Sequence, residues 1–148
     1  MDIKHHTHPD QLETYSFWWS EVRLVVAAVS LLVGGFPVVF WLLPFGFGLT
    51  WPLLKLCWLI TGLASLYLGY RWFTGGKRVF GGKKNKDLIA FGVSVVSGIN
   101  LGLTGLLGAN IGMRILSGRF IFAIVGVIYL VSAWYLYKRY NQHGKRVF

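Results

Sequence analysis

Acidic residues are scarce in this chain: five Asp and Glu stand against 15 Lys and Arg among 148 residues. Charged residues of both signs make up 14% of the sequence, whereas a soluble domain carries about 25%. Hydrophobic residues make up 55%, much of them in long runs, and the mean hydropathy is +0.56. This composition is typical of a membrane protein.

Several kinds of catalytic and cofactor site are also missing. Cys57 is the single cysteine, so the chain can form no internal disulfide. No histidine lies in an apolar run, which excludes a haem held by two histidines between its helices. The glycines of GGKRVFGG, residues 75–82, lack the spacing of a phosphate-binding loop. No Asp or Glu lies at the centre of an apolar run, which argues against a proton- or cation-coupled carrier.

Four apolar runs, at residues 22–43, 51–73, 87–113 and 119–137, are long enough for helices that cross the hydrocarbon core. Backbone groups in lipid must pair within their own segment, so these runs are predicted to be helices. The sequence therefore predicts an all-α integral membrane protein, a four-transmembrane-helix bundle. Residues 1–21 precede the first span as a tail that ends in DQLETYSFWWSE. Its aromatic residues recur at helical spacing and favour an interfacial helix, or else an extension of the first span.

Basic residues predict the orientation. They cluster after the second run and after the fourth, at Arg71, Lys77, Arg78, Lys83, Lys84, Lys86, Lys138, Arg139, Lys145 and Arg146. The first loop, 44–50, has none, and the third has Arg114 and Arg119. The rule that basic loops stay inside predicts that both termini face the cytoplasm, or the matrix of a mitochondrion. We expect a multi-pass protein of an inner or cytoplasmic membrane.

The sequence GKRVF occurs twice, at 76–80 and 144–148. YLGYRWFTGGKRVF, residues 67–80, aligns with YLYKRYNQHGKRVF, residues 135–148, at a constant offset of 68 residues. This match predicts two tandem hairpin repeats, 22–80 and 81–148, of the same orientation. Convergence is the alternative, because basic and aromatic residues are common where spans end in the cytoplasm.

The two basic segments are predicted to bind anionic lipid headgroups or an acidic partner, and bound lipid is expected. In this interpretation the phenylalanines dip into the acyl boundary while the basic side chains stay wet. The predicted contact residues are Arg71, Lys77, Arg78, Phe80, Lys83, Lys84, Lys86, Arg139, Lys145, Arg146 and Phe148.

The third run carries a stripe of small residues that predicts close helix packing. Its members are Ser94, Gly98, Gly102, Gly105, Gly108, Ala109 and Gly112, with Gly34 and Gly35 of the first run as counterparts. Packing within the chain and contact with another chain both remain open.

Polar side chains on the same run form a second set. Asn100, Thr104 and Asn110 need partners in lipid, which interhelical hydrogen bonds or a bound ligand would provide. At the N-terminus, His5, His6 and His8 are weak candidates for metal ligands, and no metal site is predicted.

Two functions remain compatible with these features. The first is a non-catalytic accessory or scaffold subunit of a larger membrane complex, such as an energy-transducing one. The second is an oligomeric transporter or channel for a small solute or anion. Both predict partners within the membrane, lipids and other subunits or further copies, and neither predicts nucleic acid. A small membrane enzyme that binds an anionic substrate is a third class, which only the charge favours.

Overall fold

The computed structural model describes residues 9–42 and 46–148. These ranges contain the helices α1 Pro9–Leu32, α2 Val39–Leu42, α3 Gly46–Thr74, α4 Asn85–Leu107, α5 Ile111–Ile115 and α6 Arg119–Gln142. No strand forms within them. The prediction of an all-α protein is confirmed.

Three of the helices are long and apolar enough to cross a membrane: Gly48–Thr74 within α3, and the whole of α4 and α6. Their outer faces carry large apolar side chains that are at least 68% exposed, among them Leu63, Val96, Leu106, Phe120 and Trp134. Exposed apolar surface on this scale is unfavourable in water. These features indicate a membrane protein.

α1 matches the second of the two alternatives for residues 10–21, because this segment and the start of the first span form one continuous helix. It has 24 residues, so it is as long as α6, but it carries four charges, at Asp10, Glu13, Glu21 and Arg23. The prediction of one continuous helix over residues 22–43 is wrong, since α1 ends at Leu32. The next glycines, at 34 and 35, adopt φ values of +99° and +89°, which end the helix.

The third predicted span, 87–113, is also divided. α4 ends at Leu107 because Gly108 adopts a left-handed φ of +69° and donates its N–H to the Thr104 carbonyl at 2.9 Å. Asn110 then caps α5, accepting the N–H of Met113 at 3.0 Å. Residues 108–113 therefore form a turn and the start of a short helix rather than the end of a span.

α3 and α4 cross in backbone contact where a glycine of each helix faces the other. A β-carbon on Gly102 would lie 2.6 Å from the Cα of Gly62, and one on Gly62 would lie 2.7 Å from the Cα of Gly102. Next to this crossing, the side chain of Ser65 in α3 occupies the space that a β-carbon on Gly98 would fill. Part of the small-residue stripe thus packs within the chain.

α1 and α6 form the other close pair. A β-carbon on Gly126 of α6 would lie 3.0 Å from the carbonyl oxygen of Ala28 in α1. α1 also packs against α3 and α4, and α4 packs against α6. The four long helices therefore form one bundle in which α1 is an integral member.

The two GKRVF segments end α3 and α6 in the same way. In each copy the glycine and the lysine adopt positive φ, between 58° and 77°. The lysine N–H donates to the carbonyl five residues earlier, from Lys77 to Trp72 at 2.9 Å and from Lys145 to Tyr140 at 3.0 Å. Matching sequences thus produce matching helix ends.

The two copies meet at one end of the bundle, which we call the basic end. The N–H of Phe80 donates to the carbonyl of Val147 at 2.7 Å. Val79 and Val147 are fully buried. They belong to a hydrophobic core that also contains Phe17, Leu68, Phe80, Ala90, Phe91, Leu136 and Tyr140.

Candidate functional site

Two arginines at matching positions of the aligned segments form forked ion pairs at the basic end. Arg71 donates from Nε and Nη2 to Oε2 of Glu13 in α1, at 3.3 and 3.0 Å. Arg139 donates from Nε and Nη2 to the two carboxylate oxygens of Asp87 in α4, both at 2.9 Å. The hydroxyl of Tyr135 adds a bond to Asp87 at 2.7 Å. Each pair joins the last turns of one long helix to the first turns of another.

These contacts correct part of the predicted lipid-binding set. Phe80 is buried, with its ring 6.3 Å from that of Phe17 and the guanidinium of Arg139 above it at 5.7 Å. Phe148 is half-buried, and its N–H donates to Glu13 at 3.1 Å. Phe80 therefore does not dip into lipid, because the two GKRVF copies pack against each other and against α1.

The remaining predicted contact residues are exposed and form the basic surface of this end. They are Lys77, Arg78, Lys83, Lys84, Lys86, Lys145 and Arg146. The ammonium of Lys77 lies 5.2 Å from the centre of the Phe73 ring. This end of the bundle therefore carries an exposed positive charge.

A cavity of about 410 Å³ lies inside the bundle, between α1, α3, α4, α5 and α6. Most of its described lining is apolar, including Val26, Leu54, Leu101 and Phe122. A volume of this size lies within the range of small-molecule sites. The cavity is the strongest candidate for a ligand site in the described part of the chain.

The three polar residues predicted as possible ligand contacts all lie on the cavity wall. Asn100 donates from Nδ2 to Oδ1 of Asn110 at 2.8 Å and accepts the Gly112 N–H at 3.0 Å. The hydroxyl of Thr104 donates to the Asn100 carbonyl at 2.8 Å. The bonds of Asn100 therefore hold the start of α5 against α4, and the bond of Thr104 lies within α4.

Arg23 is the buried cation of the cavity wall. Its side chain leaves α1 and donates from Nη1 to the hydroxyl of Ser97 at 2.6 Å and from Nη2 to the carbonyl of Ser94 at 2.8 Å. The residue is only 8% exposed. Trp19, one turn earlier, donates from its indole N–H to the Thr61 hydroxyl at 2.9 Å. Arg23, Ser97 and Thr61 thus add a second set of polar groups to a mostly apolar wall, beside that of Asn100, Thr104 and Asn110.

The other small residues of the predicted stripe take different places. Gly34 and Gly35 lie in the connection after α1, where Gly35 packs against the side chains of Met113 and Phe122. Gly108 and Ala109 lie in the turn after α4, and Gly112 lies in α5. They do not extend the contact between α3 and α4.

His5, His6 and His8 lie outside the described residues. Within 9–42 and 46–148, no three histidine, cysteine or acidic side chains come together in a way that would hold a metal ion.

Sequence reasoning missed Arg23, because the apolar run was taken to start at Val22 and the arginine then lies at a helix end. The missed signal is the continuous helical pattern through DQLETYSFWWSEVR. It moves Glu21 and Arg23 toward the middle of a helix that starts at Pro9. Ser94 and Ser97, spaced to share one face of a helix, are suitable acceptors for a buried guanidinium.

No protein-family model, curated protein or solved structure matches this chain. Its function must therefore be inferred from its own residues.

Proposed function

We propose that the chain is a non-catalytic subunit of a larger membrane assembly, with a scaffold or accessory role. The observation that carries the proposal is the outer face of α6. The most apolar stretch of α6 is only 22% buried within the chain, whereas the corresponding stretches of α3 and α4 are 33% and 39% buried. Large exposed side chains run along it at helical spacing, at Phe120, Ile124, Val127, Val131 and Trp134. Aromatic and branched apolar side chains of this kind suit a neighbouring transmembrane helix.

Photo-crosslinking in the source membrane tests this assignment. A photoreactive amino acid at Val131 of α6 is expected to give one discrete adduct with another polypeptide. The matched control is Leu63, which is 68% exposed on α3, against 63% for Val131, and is expected to give lipid adducts. Lipid adducts alone at both positions would contradict the proposal.

We further propose that α1 crosses the membrane with the three apolar helices, which gives four spans with the basic end in the cytoplasm or matrix. Three features support this arrangement. α1 has the length of a span, its charges at Glu13 and Arg23 have partners inside the bundle, and the exposed lysines and arginines are concentrated at one end.

Tandem duplication of a two-helix unit is part of the same proposal. The shared helix ends at Lys77 and Lys145 and the matched Arg71 and Arg139 ion pairs support it.

The second candidate function is an oligomeric carrier for a small solute or anion, which the internal cavity favours. A carrier path must admit water to the cavity, whereas a lipid-filled or closed cavity excludes it. Thr104→Cys in a Cys57→Ser background places one thiol on the wall. We expect no reaction with a charged, water-soluble thiol reagent in intact membranes, and rapid reaction at Lys83→Cys on the basic surface. Fast labelling at position 104 would favour the carrier and count against a purely scaffold role.

A further inference from the structure

Arg23 lies deep in the bundle, far from either end. It follows Glu13 by ten residues in α1, which places it about 15 Å along the helix from the ion pairs of the basic end. Its acceptors, Ser94 and Ser97, lie near the middle of α4, which has 23 residues. An arginine at this depth is costly in a membrane and commonly marks a functional site.

No carboxylate of the described residues pairs with this charge. In the described part of the chain, ion pairs join Arg71 to Glu13 and Arg139 to Asp87, and no carboxylate oxygen lies within 4 Å of Arg23. The buried Glu21 and the neighbouring Tyr129 act on Arg23 electrostatically, but neither is hydrogen-bonded to its guanidinium. The partners of Arg23 are neutral oxygens, and its Nε–H has no hydrogen-bond partner. A buried cation of this kind lacks a counterion.

The lining of the cavity indicates which kind of ligand could supply an anionic group to Arg23. Arg23, Ser97 and Thr61 lie on its wall toward the middle of the bundle, and the wall continues past the hydrogen-bonded Asn100 and Asn110 to the apolar Met113 and Phe122. Val22, which also lines it, lies within α1 and is 61% exposed, so the space reaches the side of the bundle. A ligand can therefore enter from the lipid and place an apolar chain beyond a buried cation.

We propose that the cavity binds a single-chain amphiphile with an anionic head, whose acid group pairs with the guanidinium of Arg23. The two serines hold the guanidinium in place at the cavity wall, where its positive charge attracts the acid group of the ligand. A carboxylate can accept a charge-assisted hydrogen bond from an arginine N–H. The site goes beyond a scaffold role, which does not require it.

Binding of dodecanoate to the full chain in phosphatidylcholine nanodiscs tests the proposal, with dodecanol as the neutral match and dodecyl phosphate as the alternative head group. Dodecanoate is expected to bind at least about tenfold more tightly than dodecanol, because a charge-assisted hydrogen bond is stronger than a neutral one. Tighter binding of dodecyl phosphate would assign the head group to phosphate. Equal binding of dodecanoate and dodecanol, with no stronger binding of dodecyl phosphate, would overturn the site.

Variants locate the binding. Arg23→Gln should remove the preference for the acid over the alcohol, and Arg23→Lys should retain part of it. Arg114→Gln, which removes an exposed arginine of α5, should leave it unchanged. An unchanged preference in Arg23→Gln, or an equal loss in Arg114→Gln, would contradict the proposal.

A labelling experiment on the unmodified protein does not depend on the stability of any variant. Dodecanoate with a photoreactive group at the end of its chain is expected to label the cavity wall, at residues such as Met113 and Phe122. An excess of dodecanoate should suppress this labelling, and dodecanol should not. Labelling confined to outer side chains such as Phe120 and Val131 would overturn the site.

Discussion

Gly102→Leu is expected to separate α3 from α4 and to destabilise the bundle by at least about 3 kcal/mol. The physical reason is the backbone contact at this crossing, where even a β-carbon would lie 2.6 Å from the Cα of Gly62. The neighbouring atoms are backbone, so no side chain can move aside, and overpacking of this kind commonly costs about 1–3 kcal/mol even for smaller additions. Equilibrium unfolding in mixed detergent micelles measures the change.

Gly92→Leu is the matched control for this substitution. Gly92 lies on the same helix, and a β-carbon there would meet nothing within 4 Å. We expect its free energy of unfolding to be no lower than that of the parent, because leucine favours a helix more than glycine does. If Gly102→Leu and Gly92→Leu have the same effect, the close crossing of α3 and α4 is incorrect.

Asp87→Ala is expected to destabilise the basic end by about 3 kcal/mol. The Asp87 side chain is fully buried, whereas that of Arg139 retains 19% exposure. Removal of the carboxylate leaves the guanidinium and the Tyr135 hydroxyl without their acceptor. Breaking a buried ion pair from one side is strongly destabilising, because the remaining charge is uncompensated. The free energy of unfolding of the variant, measured as for Gly102→Leu, gives the effect.

Two further variants separate this ion pair from a general effect of charge at the helix start. Lys86→Ala changes the exposed neighbouring residue, and it should alter stability by no more than about 0.5 kcal/mol. The double variant Asp87→Ala with Arg139→Leu should be more stable than Asp87→Ala alone, because it removes the orphaned charge. Arg139→Leu alone completes the comparison, and a loss in the double variant equal to the sum of the losses in Asp87→Ala and Arg139→Leu would show that the pair is not coupled.

The helical class of the protein could be predicted because it depends only on each segment by itself. A run of about 20 apolar residues forms a helix in lipid, whichever segments it packs against. The division of the first and third runs was harder to predict, because the glycines at 34, 35 and 108 can either lie within a helix or end it. Their positive φ values decide between these outcomes and depend on the surrounding packing.

The features that the sequence did not reveal depend on contacts between distant segments. Both copies of GKRVF were predicted to face lipid, but the first copy packs on the second, which lies 68 residues away. Arg23 likewise lies deep in the bundle because α1 is one unbroken helix, and its guanidinium is hydrogen-bonded to serines of α4. A hydropathy pattern records how apolar each segment is, and it contains no information on which segments pair.

We propose that this chain works as a subunit among larger membrane proteins. Native mass spectrometry after mild extraction from the source membrane tests it most directly. The proposal predicts that the 16.7 kDa chain is found with larger polypeptides in a fixed ratio. A chain found alone, or as a symmetric oligomer of its own copies, would contradict the proposal and favour the carrier.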